Sequence, residues 1–466
     1  MGEGGPSLAR GGSEHTDVAI IGAGPTGSAA AVAFARRGAR VALIDGHPEA
    51  AQRFAGEWIH PPGVRTLRAL GVNVEALARS QGHGFALFGD DGLDPVCLPY
   101  EGGIGIARVH GELVTELREH ACAHAGVRYL PHHLFTGLDG NTVHLLDRKT
   151  DRRLTLKAER IVGADGRGSK VRAALGQSPP AEQLSYMAGL ELEDAPLPFE
   201  GLGHVFLGGP GPALLYRVDE RRVRACLDIP SACASGARRS EVVYESFRKA
   251  LPPELEPSLR AAVQRPFAWA ATGLRRRTFF GRGNVWLAGD AVGHLHPLSG
   301  VGITLGLMDA EAAARAENLE AYRRERSLHV AELLASVLYL AFARSDASAT
   351  RVRHGLLKML RDNPAERRRT MRLLTGDDRD GQSFADAFLR ATGQVLLSGA
   401  GQSATGHQSW SDWGRHLRED ARWLAWPLRA ALPPVDALFL RDASAPERAS
   451  IARSLARTFT NRSAWS

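Results

Sequence analysis

The chain has 466 residues, and at about 150 residues per domain this length predicts two or three domains. Hydrophobic residues make up 44% and charged residues 23% of the sequence. This composition is typical of globular enzymes and excludes wholesale disorder, collagen and coiled coil. The net charge of +7 comes from 58 basic and 51 acidic residues. Because no long block of Lys and Arg stands out, we expect no nucleic-acid partner.

The cysteines indicate a reducing compartment, and the apolar runs are too short for a membrane span. The four cysteines form no Cys-x-x-Cys pair, which argues against a zinc ribbon, and no other metal-binding spacing is present. Residues 1–16 are rich in Gly, Ser and Glu, so we expect a disordered N-terminus and no signal peptide. No apolar run reaches the ~18–20 residues of a spanning helix. We therefore expect a cytoplasmic protein, while Trp423 and Trp426 leave peripheral membrane contact open.

A β–α–β unit opens the ordered sequence. Apolar runs at 17–21 and 41–45 predict two buried parallel strands, and residues 28–38 predict the helix between them. The loop before the helix has the sequence Gly-Ala-Gly-Pro-Thr-Gly, with the candidate cofactor-binding residues Gly22, Gly24, Pro25, Thr26 and Gly27. Glycines at this spacing let the backbone approach a pyrophosphate at the helix N-terminus.

A carboxylate completes this dinucleotide-binding pattern. Asp45 ends the second predicted strand, 23 residues after Gly22, and Gly46 follows it directly. A carboxylate in that position can accept hydrogen bonds from both hydroxyls of a ribose. The unit predicts a dinucleotide cofactor but does not by itself distinguish NAD from FAD.

Two later motifs favour FAD. Residues 163–172, which include Asp165, and residues 289–304, which begin with Gly289 and Asp290, each follow a predicted buried strand. Asp290 is placed to accept a hydrogen bond from a polyol such as ribitol. Residues 297–302 predict a compact turn, ending at Gly302, against which a flat ring can lie. Ile303 is predicted to begin a helix whose N–H groups stabilise a reduced, anionic flavin.

The sequence between these motifs has a different character. Short alternating segments such as 213–218 and 223–227 flank a polar turn and predict a β-hairpin. We therefore predict an α/β fold with a Rossmann-like FAD-binding domain, an antiparallel β-sheet domain that binds substrate, and a mostly helical C-terminal region. The predicted ranges are 17–180 and 281–325 for the FAD-binding domain, 181–280 for the substrate-binding domain and 326–466 for the C-terminal region.

These motifs, in this order and spacing, resemble the single-component FAD-dependent monooxygenase superfamily of the aromatic hydroxylase type, and within it the squalene monooxygenases. The closer likeness is carried by three segments: Arg53–Glu57 with Pro61-Pro62-Gly63, His110–Leu113, and His296–Gly300. Asp45 stands where the family usually has Glu, and Glu112 stands where it has an Arg that touches FAD. Residues after about 360 do not match the pattern.

The resemblance implies FAD as the cofactor, NAD(P)H as co-substrate, and O2 and a small apolar molecule as further partners. A flavin C4a-hydroperoxide would then hydroxylate or epoxidise a terpenoid, polyene or aromatic substrate. Arg53 and His110 join the cofactor-binding set, with Arg108 as a further replacement for the missing Arg at position 112. Asp165 would shape the cleft and assist NAD(P)H. His296, Pro297 and Gly300 form the candidate catalytic group, although for His296 itself a side chain satisfied by backbone contacts is favoured over a proton donor.

Other functions stay open from the sequence. A flavoprotein of the geranylgeranyl reductase type would share the fold without inserting oxygen. A protein that binds FAD without turnover is a non-enzymatic alternative. A flavin-dependent halogenase is disfavoured because residues 423–427 do not match the Trp-x-Trp-x-Ile-Pro segment expected of that class. The choice between NADH and NADPH, and the oligomeric state, are not indicated by any motif.

Overall fold

The elements below come from a computed structural model, which describes residues 14–49, 54–177, 182–234, 240–327, 334–335, 338–339 and 341–378. The α-helices of this part of the chain are α1 (Pro25–Ala35), α2 (Pro61–Ala69), α3 (Val74–Leu77), α4 (His110–Cys122), α5 (Lys170–Ala174), α6 (Ser240–Phe247), α7 (Glu256–Ala262), α8 (Gly302–Arg315), α9 (Leu319–Arg326), α10 (Ala347–Asp362) and α11 (Pro364–Thr375). The strands of the first 165 residues are β1 (Glu14–Ile21), β2 (Val41–Asp45), β3 (Trp58–Ile59), β4 (Ser80–Gly82), β5 (Gly84–Phe88), β6 (Val96–Pro99), β7 (Gly105–Ala107), β8 (Val127–Pro131), β9 (His133–Asp139), β10 (Thr142–Asp147) and β11 (Arg152–Gly163). The later strands are β12 (Glu182–Glu193), β13 (Leu202–Phe206), β14 (Ala213–Arg217), β15 (Arg222–Pro230), β16 (Ala268–Leu274), β17 (Gly281–Arg282) and β18 (Val285–Leu287).

The boundaries of the first elements differ slightly from the prediction. Strand β1 begins at Glu14, so the expectation of disorder through residue 16 is wrong for its last three residues, while residues 1–13 lie outside the described part. Residues 14–16 are held because Glu14 to Thr16 pair with β11 at Leu156 to Ala158. Helix α1 begins at Pro25, three residues before the predicted start, because Pro is well suited to the first turn of a helix.

A mostly parallel sheet positions three of the predicted motifs at one edge. Its strand order is β17-β18-β11-β1-β2-β8, with β10 and β9 attached at β11. The pairs β1–β2, β1–β11 and β11–β18 are parallel, so the carboxyl ends of these four strands point the same way. The Gly22–Gly27 loop, Asp45, the 163–172 segment and the 289–304 segment all follow these ends. Ligands of open α/β sheets bind at this edge.

A second sheet carries most of the region predicted to bind substrate. Its order is β16-β12-β15-β14-β13-β5-β6, and its pairs are antiparallel except that β13 runs parallel to β5. Strands β14 and β15 form the predicted hairpin. Strands β5 and β6, from residues 84–99, also belong to this sheet, so the sheet extends beyond 181–280. A small third sheet has the order β3-β7-β4. The α/β fold class is confirmed, while the division into domains at 180 and 281 stays a prediction.

Ion pairs tie the helices after residue 340 to the second sheet. Arg353 of α10 pairs with Asp90, and Arg361 Nη1 lies 2.6 Å from Asp91 Oδ2. Both aspartates lie just after β5. Within the described residues, no helix is long and apolar enough to cross a membrane. Trp423 and Trp426, on which the expectation of membrane contact rests, lie outside the described residues.

A buried ionic cluster fixes the start of the 289–304 segment. Asp309 of α8 is inaccessible to solvent and accepts hydrogen bonds from Arg277 Nη2 at 2.6 Å and Arg326 Nε at 2.7 Å. The same carboxylate accepts the Gly289 N–H at 2.8 Å. Two buried guanidinium groups therefore depend on one carboxylate, which also holds the backbone of the cofactor motif.

We expect Asp309→Ala to lower the free energy of unfolding by about 3–5 kcal/mol, because it removes a buried carboxylate that two buried guanidinium groups share. Urea unfolding checks this value. Glu311→Ala, on the same helix, removes a partly exposed partner of Arg37 and should cost no more than about 1 kcal/mol. Equal losses of stability in the two variants would contradict the role of Asp309 as the carboxylate that these two guanidinium groups share.

Candidate functional site

The Gly22–Gly27 loop has the tight geometry that the sequence predicts. Gly22 has φ +103°, and a Cβ there would lie 2.5 Å from the carbonyl oxygen of Ala164. A Cβ at Gly27 would lie 1.8 Å from the Gly22 carbonyl oxygen, so helix and strand pack too closely for any side chain. A Cβ at Gly24, in contrast, would meet no atom within 4 Å. The loop therefore closes tightly at its ends and leaves open space at Gly24, at the start of α1, which fits a pyrophosphate.

Asp45 is held by a residue that the sequence analysis missed. Arg118 Nη2 of α4 donates to Asp45 Oδ2 at 2.9 Å, and the His47 N–H donates to Oδ1 at 3.0 Å. Arg118 also donates to the carbonyl oxygen of Ala23 inside the Gly22–Gly27 loop, at 3.3 Å. One guanidinium thus joins the phosphate loop to the expected ribose acceptor. Arg118 is 73 residues from Asp45 in the chain, so no local spacing signals the pair. Gly46 packs against Leu134, to which a Cβ would approach within 3.0 Å.

The first and third motifs meet at Thr26. A Cβ at Gly289 would lie 2.6 Å from Thr26 Oγ1, and a Cβ at Gly306 would lie 2.1 Å from the same atom. Pro25 and Thr26 occupy the first turn of α1. Two stretches more than 260 residues apart therefore share one contact that only glycine permits. The structure thus places the predicted residues Thr26 and Gly289 in contact, while their role toward a cofactor stays a prediction.

Asp290 lies at the N-terminus of α8. A Cβ at Gly302, the first residue of the helix, would lie 3.9 Å from Asp290 Oδ1. The other carboxylate oxygen, Oδ2, accepts from Arg167 Nε at 3.3 Å. Helix α8 starts one residue before Ile303, where the sequence predicted it. A carboxylate beside a helix start suits a ribitol chain that leads to a ring.

Asp165 is engaged in capping rather than facing open space. Its carboxylate accepts from the Ser169 hydroxyl, from the Lys170 N–H at 2.7 Å and from the Val171 N–H at 3.1 Å. Burial raises the pKa of Asp165, and these hydrogen bonds oppose that rise. Asp165 therefore fixes the start of α5 beside the strand ends. A role toward NAD(P)H stays a prediction.

The segment after Arg53 is clamped from both sides. Arg53 itself lies outside the described residues. His110 Nδ1 donates to the Gly56 carbonyl oxygen at 2.8 Å, and a Cβ at Gly56 would lie 3.3 Å from Ile303 Cδ1. Buried Glu57 receives Arg224 Nε and Nη2, both at 2.8 Å. His110 and Ile303 thus position the segment that the sequence placed near the flavin.

Arg108 is already committed to other partners. Its Nε and Nη2 donate to Glu112 at 3.2 Å and to Glu116 at 2.9 Å, and Nη1 donates to the Leu77 carbonyl oxygen. Glu112, which stands where the family has Arg, therefore pairs with Arg108 at the start of α4. Because its charge is neutralised there, we do not expect Arg108 to replace the missing cofactor contact.

A buried hydrogen-bonded chain supports the turn at residues 297–300. His60 Nε2 lies 3.1 Å from the Ser299 carbonyl oxygen, which can only accept, so Nε2 carries the proton. His60 Nδ1 then accepts from the Tyr100 hydroxyl at 2.6 Å, and that oxygen accepts from Trp58 Nε1 at 2.9 Å. Burial lowers the pKa of His60 to about 4, although the Ser299 carbonyl opposes the shift. The sequence analysis did not single out this chain.

The candidate catalytic residues His296, Pro297 and Gly300 adjoin this hydrogen-bonded chain at His60. Pro297–Ser299 form a single 3-10 turn that ends at Gly300, which has φ +62°. A Cβ at Gly300 would lie 3.4 Å from His60 Nε2. His296 begins the turn, and its Nε2 lies 3.1 Å from buried Asp228 Oδ1. Side chains therefore satisfy His296, rather than backbone alone as the simpler expectation had it.

His60→Gln should flatten the acid side of the stability profile. Without the substitution, the His60 imidazole binds a proton near pH 6.5 when the chain is unfolded but only near pH 4 when it is folded. Stability is therefore lost as the pH falls through this window, by up to about 1.4 kcal/mol per pH unit. Glutamine keeps a donor and an acceptor but does not titrate. Urea unfolding of both proteins from pH 8 to pH 4 gives the difference, and parallel profiles would contradict the buried neutral imidazole.

Comparison with known proteins identifies relatives of this chain. The model of the family described as the FAD binding domain matches residues 15–335. Squalene monooxygenase of Rattus norvegicus is 29% identical over 368 residues, covering 72% of this chain and 64% of the rat protein. The chain thus spans less than two thirds of that relative's length.

Two solved structures show the same fold. PqsL, a probable FAD-dependent monooxygenase from Pseudomonas aeruginosa, has a TM-score of 0.56 at 22% identity and covers 80% of this chain and 100% of its own. A geranylgeranyl bacteriochlorophyll reductase-like protein from Thermoplasma acidophilum has a TM-score of 0.65 at 16% identity, covering 83% and 99%. The predicted resemblance is confirmed. With the Gly22–Gly27 loop, Asp45 and the 289–304 segment all inside the matched range, the chain belongs to the FAD-binding domain family.

Proposed function

We propose that the protein is an FAD-dependent monooxygenase that uses NAD(P)H and O2 to hydroxylate or epoxidise a small apolar molecule. The balanced reaction consumes substrate, O2, NAD(P)H and one proton, and yields oxygenated substrate, NAD(P)⁺ and water. The observation that carries the proposal is the contact of Thr26 with Gly289 and Gly306. It makes one crevice from the pyrophosphate loop and the segment expected to face the ring.

The residues of this crevice fit FAD along its whole length. Gly24 and the start of α1 would take the pyrophosphate, and Asp45, held by Arg118, would take the adenosine ribose. Asp290 would bind the ribitol, and the Pro297–Gly302 turn with the start of α8 would hold the ring. When bound, FAD supplies the acceptance of reducing equivalents and the activation of O2. The protein orients the ring and keeps water from it.

An aromatic wall beside the turn supports an apolar substrate. The rings of Phe85 and Tyr216 lie 5.3 Å and 5.6 Å from that of Trp58. Trp58 Cδ1 would lie 3.8 Å from a Cβ at Gly300, so this wall adjoins the flavin-facing turn. Tyr216 is buried and donates to Glu57 at 3.2 Å. The three rings are buried and their polar atoms are hydrogen-bonded, so the turn borders an apolar ring cluster, which favours a terpenoid, polyene or aromatic substrate over a polar one.

A reductase without oxygen insertion is the second candidate. It is favoured by the fold match to the reductase-like protein of Thermoplasma acidophilum. Because the same crevice would serve both reactions, the product distinguishes them.

We expect aerobic turnover with NADPH and a lipophilic substrate under ¹⁸O2 to place one ¹⁸O atom in the product. Mass spectrometry of the products from a panel of terpenoids, polyenes and phenols measures this. Asp290→Ala is the matched control and should lose bound FAD and turnover together. A product that gains two hydrogens and no ¹⁸O would overturn the monooxygenase proposal in favour of the reductase.

Arg118→Ala should weaken FAD binding about tenfold, because it removes charged hydrogen bonds to Asp45 and the phosphate loop. Binding of FMN, which lacks the adenosine half, should change much less. Flavin fluorescence titration of the apoprotein measures both. Arg128→Ala, which removes a partner of exposed Glu14, serves as the control. If Arg118→Ala and Asp45→Asn act additively in the double variant, the two residues do not work as one unit.

A further inference from the structure

A buried polar cluster joins the flavin-facing turn to the second sheet. Asp228 of β15 and Ser185 of β12 are inaccessible to solvent, and His296 is 3% exposed. Thr272 of β16 and Tyr339 complete the cluster. Since β16, β12 and β15 are neighbours in the sheet, three adjacent strands present polar side chains to a single histidine.

The cluster has one set of donors and acceptors in which Asp228 accepts from His296, although His296 Nε2 also lies 3.1 Å from Ser185 Oγ and 3.2 Å from Thr272 Oγ1. The Leu298 N–H donates to His296 Nδ1 at 3.3 Å, so Nδ1 holds a lone pair and Nε2 carries the proton. His296 Nε2 then donates to Asp228 Oδ1 at 3.1 Å. Tyr339 donates to Asp228 Oδ2 at 3.3 Å. Ser185 also donates to Asp228, which leaves Thr272 as the donor to Ser185.

The Tyr339 ring stacks on one face of the His296 imidazole. The two ring centroids lie 3.8 Å apart with 24° between their planes. Within the described residues, no Arg or Lys pairs with Asp228. The buried carboxylate is therefore balanced by hydrogen-bond donors, and His296 is the one base among them. Removing a partner from such a network leaves the others unsatisfied.

We propose that Asp228 is a positioning residue for the flavin-facing turn: its carboxylate holds His296 in the Nε2-protonated form, and His296 Nδ1 in turn holds the Leu298 N–H. This inference deepens the proposed function and rests on it for the role of the turn. The opposite tautomer would set the Nδ1 proton against the Leu298 N–H. Two donors cannot share that space, so the turn would open.

Hydrogen exchange of the holoprotein, read by mass spectrometry over residues 296–304, tests this chain of contacts. We expect Asp228→Asn and His296→Ala each to speed exchange in the turn about fivefold or more. The double variant should be no faster than either single one. Tyr339→Phe keeps the stacked ring and removes one donor, so it should produce a smaller effect in the same segment. Tyr244→Phe is the matched control, because the Tyr244 hydroxyl donates to Glu256, which is outside the cluster. This variant should leave exchange in the turn unchanged.

The location of any acceleration separates positioning from loss of structure. Native exchange rates over 296–304 in Asp228→Asn would overturn the proposal. If that variant exchanges faster throughout the chain, Tyr339→Phe decides: acceleration confined to the turn supports positioning, and no acceleration contradicts it. The measurement needs no substrate, so it stands even if oxygen incorporation fails.

Discussion

The close approach of Thr26 to Gly289 and Gly306 is the constraint on which the site depends. The Thr26 hydroxyl occupies the space that a Cβ would need at either glycine. As a result the first turns of α1 and α8 lie against each other, and in the proposed function both helix N-termini face the cofactor. The buried cluster around Asp309 holds the Gly289 backbone in place for that contact. A site for a long cofactor needs such a fixed distance between the end that binds phosphate and the end that binds the ring.

Two ion pairs with little solvent exposure join elements that are distant in the chain. Arg224 binds Glu57 and so ties β15 to the segment before β3. Arg118 binds Asp45 and so ties α4 to β2. Removing each pair from water is unfavourable. In exchange the pair fixes the relative position of the two elements, because a guanidinium with two hydrogen bonds has a defined orientation. Asp228 differs, since within the described residues it accepts hydrogen bonds from His296, Ser185 and Tyr339 rather than from a guanidinium.

The parts that sequence reasoning reached are those governed by local rules. Gly22, Gly27 and Asp45 follow from the strand–loop–helix spacing, and the paired strands β14 and β15 follow from alternation around a turn. The residues it missed, such as Arg118, His60 and Asp228, act through partners 40 to 240 residues away. Their residue types are common, so only the folded chain reveals which of them meet. Strands β5 and β6 were not assigned to the second sheet for the same reason, since β5 joins it through non-local pairing with β13 and β6 joins it through β5.

An experimental structure of the protein with FAD bound would test whether the two distant segments hold one cofactor. We expect one FAD per chain, with its pyrophosphate at Gly24, its ribose hydroxyls on Asp45 and its ring against the backbone of residues 297–302. Density for the flavin elsewhere, or a ring that turns away from the start of α8, would contradict it.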